Sequence, residues 1–196
     1  MFNWLTADGS FSGADGSLDW IVPDEEQARR AAATIGDVDT VLFGRRTYER
    51  FEAFWRNALD DSATVPDPHR SGQRSREHRV IAIALNTLTK LVFSRTLTEV
   101  TWRNARLLRA LDPRALEAMK REPGKDIIVF GSGSIVSQLT EHGLIDEYQL
   151  AVCPVFLSGG RPLLSGVAAS VRLELLEATR WASGDVLLRY APRRAR

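Results

Sequence analysis

Residues 126–164 form the stretch that most constrains the fold, because they alternate two apolar patterns with two glycine-containing turns. Residues 127–130 are apolar and mostly β-branched, which predicts a buried strand. Residues 131–134 read Gly-Ser-Gly-Ser, and apolar residues then recur at helical spacing until Gly143, a residue type that often ends helices. Residues 148–153 alternate with a period of two, which is typical of a second strand. The stretch therefore predicts strand, turn, short helix and strand.

The Gly-Ser-Gly-Ser turn suits an anion, because a backbone without Cβ atoms allows close approach and the first N–H groups of the helix are unpaired. Two interpretations remain open: a site for a nucleotide diphosphate, or an ordinary strand-to-helix turn with Ser134 as the N-cap. The dinucleotide fingerprint is absent, since Val136 occupies the place of its third glycine. Under the first interpretation, we expect a Cβ at Gly133 to stand between the helix N–H groups and the phosphate.

Length and composition predict one soluble domain over residues 1–192, followed by a basic tail at 193–196. The net charge of +1 argues against a nucleic-acid or membrane surface. A single cysteine, Cys153, excludes an internal disulfide and fits the cytoplasm. The three histidines have no metal-ligand spacing, so we expect no metal site.

The other elements predict an α/β fold of three layers, with a mixed, mostly parallel sheet, helices on both faces and a C-terminal antiparallel hairpin. A glycine-rich segment ending near Asp19 predicts a mobile loop that closes over a ligand. Pro23 is expected at a first helical position, with Asp24 in the first turn. The predicted strands are 2–7, 38–43, 91–94, 100–102, 171–179 and 186–190, the helices are 23–35 and one that starts at Pro113, and 56–79 is a polar surface excursion. Residues 79–88 are apolar and fit either a helix or a strand.

Two segments, 41–51 (VLFGRRTYERF) and 129–164 (VFGSGSIVSQLTEHGLIDEYQLAVCPVFLSGGRPLL), resemble the dihydrofolate reductase-like superfamily. The nearest branch contains the reductase domain of bacterial riboflavin biosynthesis and stand-alone dihydrofolate reductase family proteins. The resemblance implies NADPH-dependent reduction of a small heterocycle, either 5-amino-6-(5-phosphoribosylamino)uracil or a pterin. It also implies a homodimer, for which residues 152–164 offer apolar surface.

The residues that the resemblance assigns to NADPH follow predicted strand ends. Glycine turns there place guanidiniums and helix N-termini together, which suits phosphates. The resemblance places a Ser-Arg pair against the adenosine 2′-phosphate, so we expect NADPH to bind in preference to NADH. The assigned residues are Ala7, Gly44, Arg45, Arg46, Thr47, Ser94, Arg95, Gly131, Ser132, Gly133, Ser134 and Ile135.

Two carboxylates are candidates for the proton donor. The resemblance matches Glu25 to the acid of folate-reducing relatives, through the motif Trp20-Ile21-Val22-Pro23, and places Asp8 near the substrate end of the nicotinamide. It also assigns Asp8, Gly9 and Trp20 to substrate binding. Two other functions stay open: a non-catalytic NADP-binding sensor or interaction protein, and a nucleic-acid-associated protein that uses its arginines.

Overall fold

The computed structural model describes residues 1–60, 75–168 and 170–193. The predicted excursion at 56–79 lies mostly outside the described residues, as do residues 194–196 of the predicted tail. The strands are β1 Phe2–Thr6, β2 Ser10–Ser12, β3 Val38–Gly44, β4 Thr89–Phe93, β5 Ala105–Leu108, β6 Asp126–Val129, β7 Tyr148–Cys153, β8 Arg161–Pro162, β9 Leu173–Arg180 and β10 Val186–Pro192. The helices are α1 Glu25–Thr34, α2 Arg45–Trp55, α3 Arg76–Thr87, α4 Pro113–Arg121 and α5 Gly133–Glu141.

The strands form a mixed sheet in two segments, ordered β5-β4-β3-β6 and β1-β7-β10-β9. A parallel bridge between Phe2 and Phe130 joins the segments. The neighbouring strands in the order β5-β4-β3-β6 are all parallel, and so are β1 and β7. Strand β10 runs antiparallel to both β7 and β9. The mostly parallel sheet and the C-terminal hairpin are therefore confirmed. Strands β2 and β8 form a separate two-stranded ribbon.

Helices cover both faces of this sheet, because alternate side chains of each central strand enter different cores. On the first face, Leu42 and Val129 pack with residues of α4 and α5. On the second face, Val41 and Phe43 pack with residues of α2 and α3, and α1 lies against α3. Within the described ranges, no helix has both the length and the apolar character that a membrane span requires.

The start of α1 corrects the prediction for Pro23. The helix begins at Glu25, and Asp24 is its N-cap with an extended backbone. The Asp24 carboxylate accepts hydrogen bonds from the backbone N–H groups of Glu26 at 2.8 Å and Gln27 at 3.2 Å. An aspartate that satisfies these unpaired donors defines the helix start, so Pro23 precedes the helix. The prediction that Asp112 caps the helix beginning at Pro113 is confirmed.

Two further local predictions are wrong. Residues 100–102 form no strand, because the backbone N–H groups of Thr101 and Trp102 both donate to the Tyr48 hydroxyl at 3.1 Å. The strand starts instead at Ala105, after Asn104 turns the chain with a φ of 59°. The glycine-rich segment before Asp19 also contains a regular element, since β2 pairs with β8.

Candidate functional site

The carboxyl ends of β3, β4 and β6 meet at one edge of the sheet, because these strands are parallel neighbours. Two helices begin there: α2 starts directly after β3, and α5 starts four residues after β6 ends. Most of the predicted cofactor residues are thereby brought together along one groove. Those that line it are Gly44, Arg45, Arg46, Thr47, Ser94, Arg95, Gly131, Ser132, Gly133 and Ser134.

A tight contact, which we term the junction (Gly44, Thr47, Gly131 and Ser132), ties the two helix starts together. The Ser132 Oγ accepts a hydrogen bond from the Gly44 backbone N–H at 2.8 Å, and it lies 2.9 Å from the Thr47 Oγ1. Ser132 is the N-cap residue of α5, so its hydroxyl satisfies a donor at the start of the other helix. The junction therefore holds the N-termini of α2 and α5, both of which favour anions, side by side.

The backbone of the junction is unusual for its sequence. Ser132 has φ 60° and ψ 74°, the left-handed region that non-glycine residues rarely adopt, and Gly131 has φ 57°. A Cβ on Gly131 would lie 3.1 Å from the Thr47 Oγ1, and one on Gly44 would overlap the Ser132 hydroxyl. Left-handed backbone at a serine costs about 1–3 kcal/mol, and such strain persists only where the surroundings impose it.

The structure gives Gly133 a different role from the expected one. A Cβ there would lie 2.9 Å from the Phe11 Cε1 and 3.0 Å from the Leu163 carbonyl oxygen. Gly133 thus allows the start of α5 to pack against the β2–β8 ribbon, and the expectation that its Cβ would face an anion is wrong. Ile135 is buried, and its backbone N–H donates to the Ser132 carbonyl at 2.8 Å, so this donor is already used.

Guanidiniums surround the groove near the helix starts. Arg45 forms an ion pair with Glu49 at 3.3 Å, while Arg46 and Arg95 are exposed. The Ser94 Oγ accepts from the backbone N–H groups of Thr96 at 3.2 Å and Leu97 at 3.0 Å. Ser94 therefore shapes the turn that presents Arg95.

The glycine-rich loop is anchored by two arginines. Arg50 donates to the Gly16 carbonyl, and Arg161 donates to the Ala14 carbonyl at 2.5 Å. Within the loop, the Asp15 carboxylate accepts from the Ser17 backbone N–H at 2.8 Å. Because Arg50 belongs to α2, these contacts fix the loop beside the helix whose N-terminus forms part of the junction.

The predicted acids and substrate-binding residues lie outside the lining of this groove. Among the described residues, Ala7, Asp8, Gly9, Trp20 and Glu25 are not in the lining of the groove. The Thr6 hydroxyl, and secondarily the Leu157 backbone N–H, donate to the Asp8 carboxylate and lower its pKa. Glu25 is exposed and lies 3.9 Å from Arg29.

Two further polar groups in this part of the chain are buried: the Asp24 carboxylate and the Trp20 Nε1. Besides capping α1, Asp24 accepts from the Ser183 backbone N–H at 2.9 Å, and these backbone hydrogen bonds lower its pKa despite its burial. The Trp20 Nε1 is buried and has no hydrogen-bond partner among the residues that the structure describes.

Sequence reasoning missed a line of aromatic side chains on the second face of the sheet. The rings of Trp181, Trp4, Phe2, Phe130 and Phe51 follow one another in contact, and we term them the aromatic row. They line the same groove as the junction. The available signal was weak: the alternation of Phe2 and Trp4 in the first predicted strand indicates a shared face but not what covers it.

Comparison with protein families gives a match over residues 1–187 to the RibD C-terminal domain. The chain belongs to the RibD C-terminal domain family. An uncharacterized protein of Bacillus subtilis, YyaP, is 26% identical over 186 residues, which span 95% of this chain and 90% of that protein. The family relationship confirms the resemblance and supports a reductase-like function.

Two solved structures share the fold of this RibD C-terminal domain. A deaminase/5-amino-6-(5-phosphoribosylamino)uracil reductase from Thermotoga maritima matches with a TM-score of 0.61 and 14% identity, over 98% of this chain and 55% of that one. Dihydrofolate reductase from Enterococcus faecalis, complexed with NADP(H), also matches with a TM-score of 0.61 and 14% identity, over 98% of this chain and 95% of that one. The TM-scores show a common dihydrofolate reductase-like fold, and at 14% identity they show the fold alone.

Proposed function

We propose that this protein is a cytoplasmic, NADPH-dependent reductase of a small heterocyclic or carbonyl substrate. The junction carries the proposal, because it joins two helix N-termini at the carboxyl ends of parallel strands, and arginines surround it. Ligands of open α/β sheets bind at such an edge. The two similar structures, a uracil-compound reductase and an NADP(H) complex, support the same assignment.

The residues at the groove fit NADPH. First-turn N–H groups of α2 and α5 suit the diphosphate. Gly44 and Gly131 have no Cβ atom, and a Cβ at either position would fill the space at the junction. We assign the 2′-phosphate to Arg95, which follows the Ser94 turn, and to Arg46, because both guanidiniums are exposed and line the groove. When bound, NADPH supplies a hydride to the substrate. The protein contributes orientation and electrostatics.

The proton that accompanies the hydride has no protein donor of the expected kind. Asp8 has a lowered pKa and Asp24 is bonded to three backbone N–H groups, whereas Glu25 is exposed on the first turn of α1. We therefore assign the proton to water, with Asp8 as an ionised group at the substrate end. The first compound to test as a substrate is the phosphoribosylaminouracil named for the Thermotoga protein.

The same observation favours one alternative, a non-catalytic NADP-binding protein. A groove that holds the cofactor, but whose lining includes neither of the two expected acids, Asp8 and Glu25, would suit a sensor or an interaction module. Oxidation of NADPH in the presence of candidate substrates separates the two functions.

The decisive experiment titrates NADPH and NADH against the wild type and Arg95→Ala. A charge-assisted hydrogen bond contributes roughly 1.5–3 kcal/mol, so we expect Arg95→Ala to lose about ten- to a hundredfold in NADPH affinity and little in NADH affinity. Arg121→Ala is the control, because Arg121 is exposed on α4, on the first face. Equal wild-type affinities for the two cofactors would contradict the proposal.

We also propose that the protein forms a homodimer through the segment after β7. Phe156 is 78% exposed and Leu164 is 44% exposed, which is unusual for large apolar side chains. Leu163, expected to share this surface, is instead buried at 7% exposure and belongs to the first core. Light scattering of the wild type and Phe156→Ser tests the proposal, which predicts that only the wild type is a dimer at micromolar concentration.

A further inference from the structure

The aromatic row is a chain of ring-to-ring contacts along the second face of the sheet, edge-to-face from Trp181 to Phe130 and stacked from Phe130 to Phe51. Ring centroids lie 5.8 Å apart from Trp181 to Trp4, 5.8 Å from Trp4 to Phe2 and 6.4 Å from Phe2 to Phe130. Phe51 then stacks on Phe130 at 5.3 Å with an interplanar angle of 27°. Trp181 is buried, whereas the other four rings are only partly buried.

One end of the row lies at the junction. Phe130 immediately precedes Gly131, and Phe51 lies one helical turn after Thr47 on α2, so the stacked pair abuts the proposed diphosphate site. Residues of α1, including Gln27 and Ala31, line the same groove. Partly buried rings that line a groove retain apolar surface that a ligand can remove from water.

The charged side chains beside the row bind one another. Arg30 donates to both carboxylate oxygens of Glu177 at 2.9 Å, and Arg189 donates to Glu177 and to both oxygens of Glu147 at 2.8 Å. We term these four residues the ion-pair ladder. Strand registers place Phe2 opposite Gln149 and Gln149 opposite Arg189, so the ladder shares the face of the row.

The ladder has two positive and two negative charges, and its guanidiniums already donate to carboxylates. An anionic group on a substrate would have to break these bonds to gain an arginine partner at this side of the groove. An uncharged ring requires no such exchange, and aromatic rings stack favourably on one another at separations of about 4.5–7 Å.

We propose that the aromatic row binds the substrate and that this substrate is a planar, uncharged, ring-conjugated carbonyl compound such as a quinone. This inference rests on the proposed reductase function. The substrate class that it names differs from the phosphorylated pyrimidine named for the similar reductase. In the reaction, the C–H bond at C4 of the nicotinamide breaks and the hydride forms a new bond to the substrate. Water supplies the proton to the carbonyl oxygen, so NADPH is oxidised to NADP⁺ and the substrate is reduced by two electrons.

The test compares two probes that share one ring system and differ by a single anionic substituent: 1,4-naphthoquinone and its 2-sulfonate. Equilibrium dialysis against the full chain, with and without NADP⁺, measures both affinities. We expect the uncharged probe to bind at least about tenfold more tightly, and Trp4→Leu and Phe130→Leu each to weaken it about tenfold, as stacked rings contribute comparable amounts elsewhere. Phe156→Leu is the matched control, because Phe156 is exposed outside the row, and it should bind like the wild type.

Glu177→Gln sharpens the charge argument. This variant releases guanidinium donors of Arg30 and Arg189, so it should bind the sulfonate more tightly and the uncharged probe unchanged. Equal or tighter binding of the sulfonate by the wild type would overturn the proposal and favour a phosphorylated substrate. Full affinity in both Trp4→Leu and Phe130→Leu would also overturn it, with melting temperatures confirming that both fold.

Failure of the reductase function gives a different result. A chain that binds the uncharged probe through the row but has no affinity for NADP⁺ keeps the aromatic site and loses the proposed cofactor. A chain that binds NADP⁺ but neither probe keeps the cofactor site and loses the substrate class.

Discussion

The junction and the aromatic row line one groove, but the chain builds them in different ways. The junction forms where two strand–glycine–helix segments meet, so most of its residues follow one another in sequence around Gly44 and Gly131. The row takes one or two rings from each of β1, the end of β6, α2 and the β9–β10 turn. A site made of local turns is visible in a sequence, whereas a surface assembled by strand register is not.

The two regions should also differ in how well they tolerate substitutions. The junction is held by hydrogen bonds and close contacts around a strained serine, so small changes in shape should be costly. Four of the five rings of the row are only partly buried, and such rings lose less stability when one of them is shortened. Changes in the junction should therefore affect both stability and cofactor binding, while changes near the row should act on one property at a time.

The largest effect is expected for Gly44→Ala. The new Cβ would overlap the Ser132 hydroxyl, which must then rotate away from the Gly44 N–H. Leaving that donor unpaired costs about 1–3 kcal/mol of unfolding free energy, and the altered helix start should weaken NADPH about tenfold or more. Thermal melting and cofactor titration measure the two effects.

Gly36→Ala is the control for this change, because a Cβ at Gly36 meets no atom within 4 Å and its backbone is not in the left-handed region. We expect it to bind NADPH like the wild type. If Gly44→Ala matched Gly36→Ala in both measurements, the junction would have no special role and the contrast with the aromatic row would fail.

A somewhat smaller effect should separate strain from hydrogen bonding at Ser132. Ser132→Ala and Ser132→Gly both remove the hydroxyl that bonds to Gly44, but only glycine relieves the left-handed backbone. We expect both to weaken NADPH about tenfold, with the alanine variant less stable than the glycine variant by about 1 kcal/mol. Glu141→Gln, an exposed position at the far end of α5 and outside the lining of the groove, should change neither quantity. Identical stability of the two Ser132 variants would show that the backbone there is not strained.

The same contrast between local turns and long-range contacts explains which parts of this molecule the sequence predicts. The resemblance and the glycine turns identified the residues that line the groove near the junction, and the apolar patterns identified most strands. The bond between Ser132 and Gly44 spans 88 positions, and no local pattern encodes such a partner. The role of Gly133 was misassigned for a similar reason, because Phe11 and Leu163 reach it from distant parts of the chain.

Local competition explains the remaining errors. Asp24, Glu25 and Glu26 are all suited to a helix start, so the sequence alone did not decide which one is the cap. The short strand β2 was missed because pairing with β8 outweighs the preference of its glycine-rich surroundings for irregular structure. Residues 100–102 look apolar and extended, but their N–H groups are used by Tyr48.

The ion-pair ladder should give the row a pH dependence of stability that the junction lacks. Hydrogen bonds from Arg30, and then from Arg189, lower the pKa of Glu177 to about 2, from an ordinary value of 4.5. Because the pKa in the folded state is depressed, the stabilisation is present above about pH 4.5 and is lost as the pH falls towards 2. Allowing for solvent screening, we expect about 1–2 kcal/mol. Urea unfolding at pH 6 and pH 3 should show a gap between the wild type and Glu177→Gln that narrows at the lower pH.

Glu174→Gln is the control, since Glu174 is exposed on the same strand. A constant gap between the wild type and Glu177→Gln from pH 6 to pH 3 would mean that the ladder acts through packing and not through charge.

The smallest effect is expected at Asp8, which the resemblance places near the substrate but which lies outside the lining of the groove. The Thr6 hydroxyl and the Leu157 backbone N–H hold the pKa of Asp8 below its ordinary value, so the carboxylate stays ionised throughout the range from about pH 5 to 8. An ionised carboxylate can orient a substrate or a water molecule but cannot donate a proton. Asp8→Asn should therefore lower the rate of substrate reduction by a constant factor without changing the shape of its pH profile.

Thr6→Val removes the main cause of the shift, so the pKa of Asp8 should rise towards its ordinary value and remain outside the neutral range. If the wild type instead shows an ionisation near neutral pH that Asp8→Asn abolishes, the carboxyl group is protonated in the working complex. Asp8 would then be the proton donor, and water would lose that role.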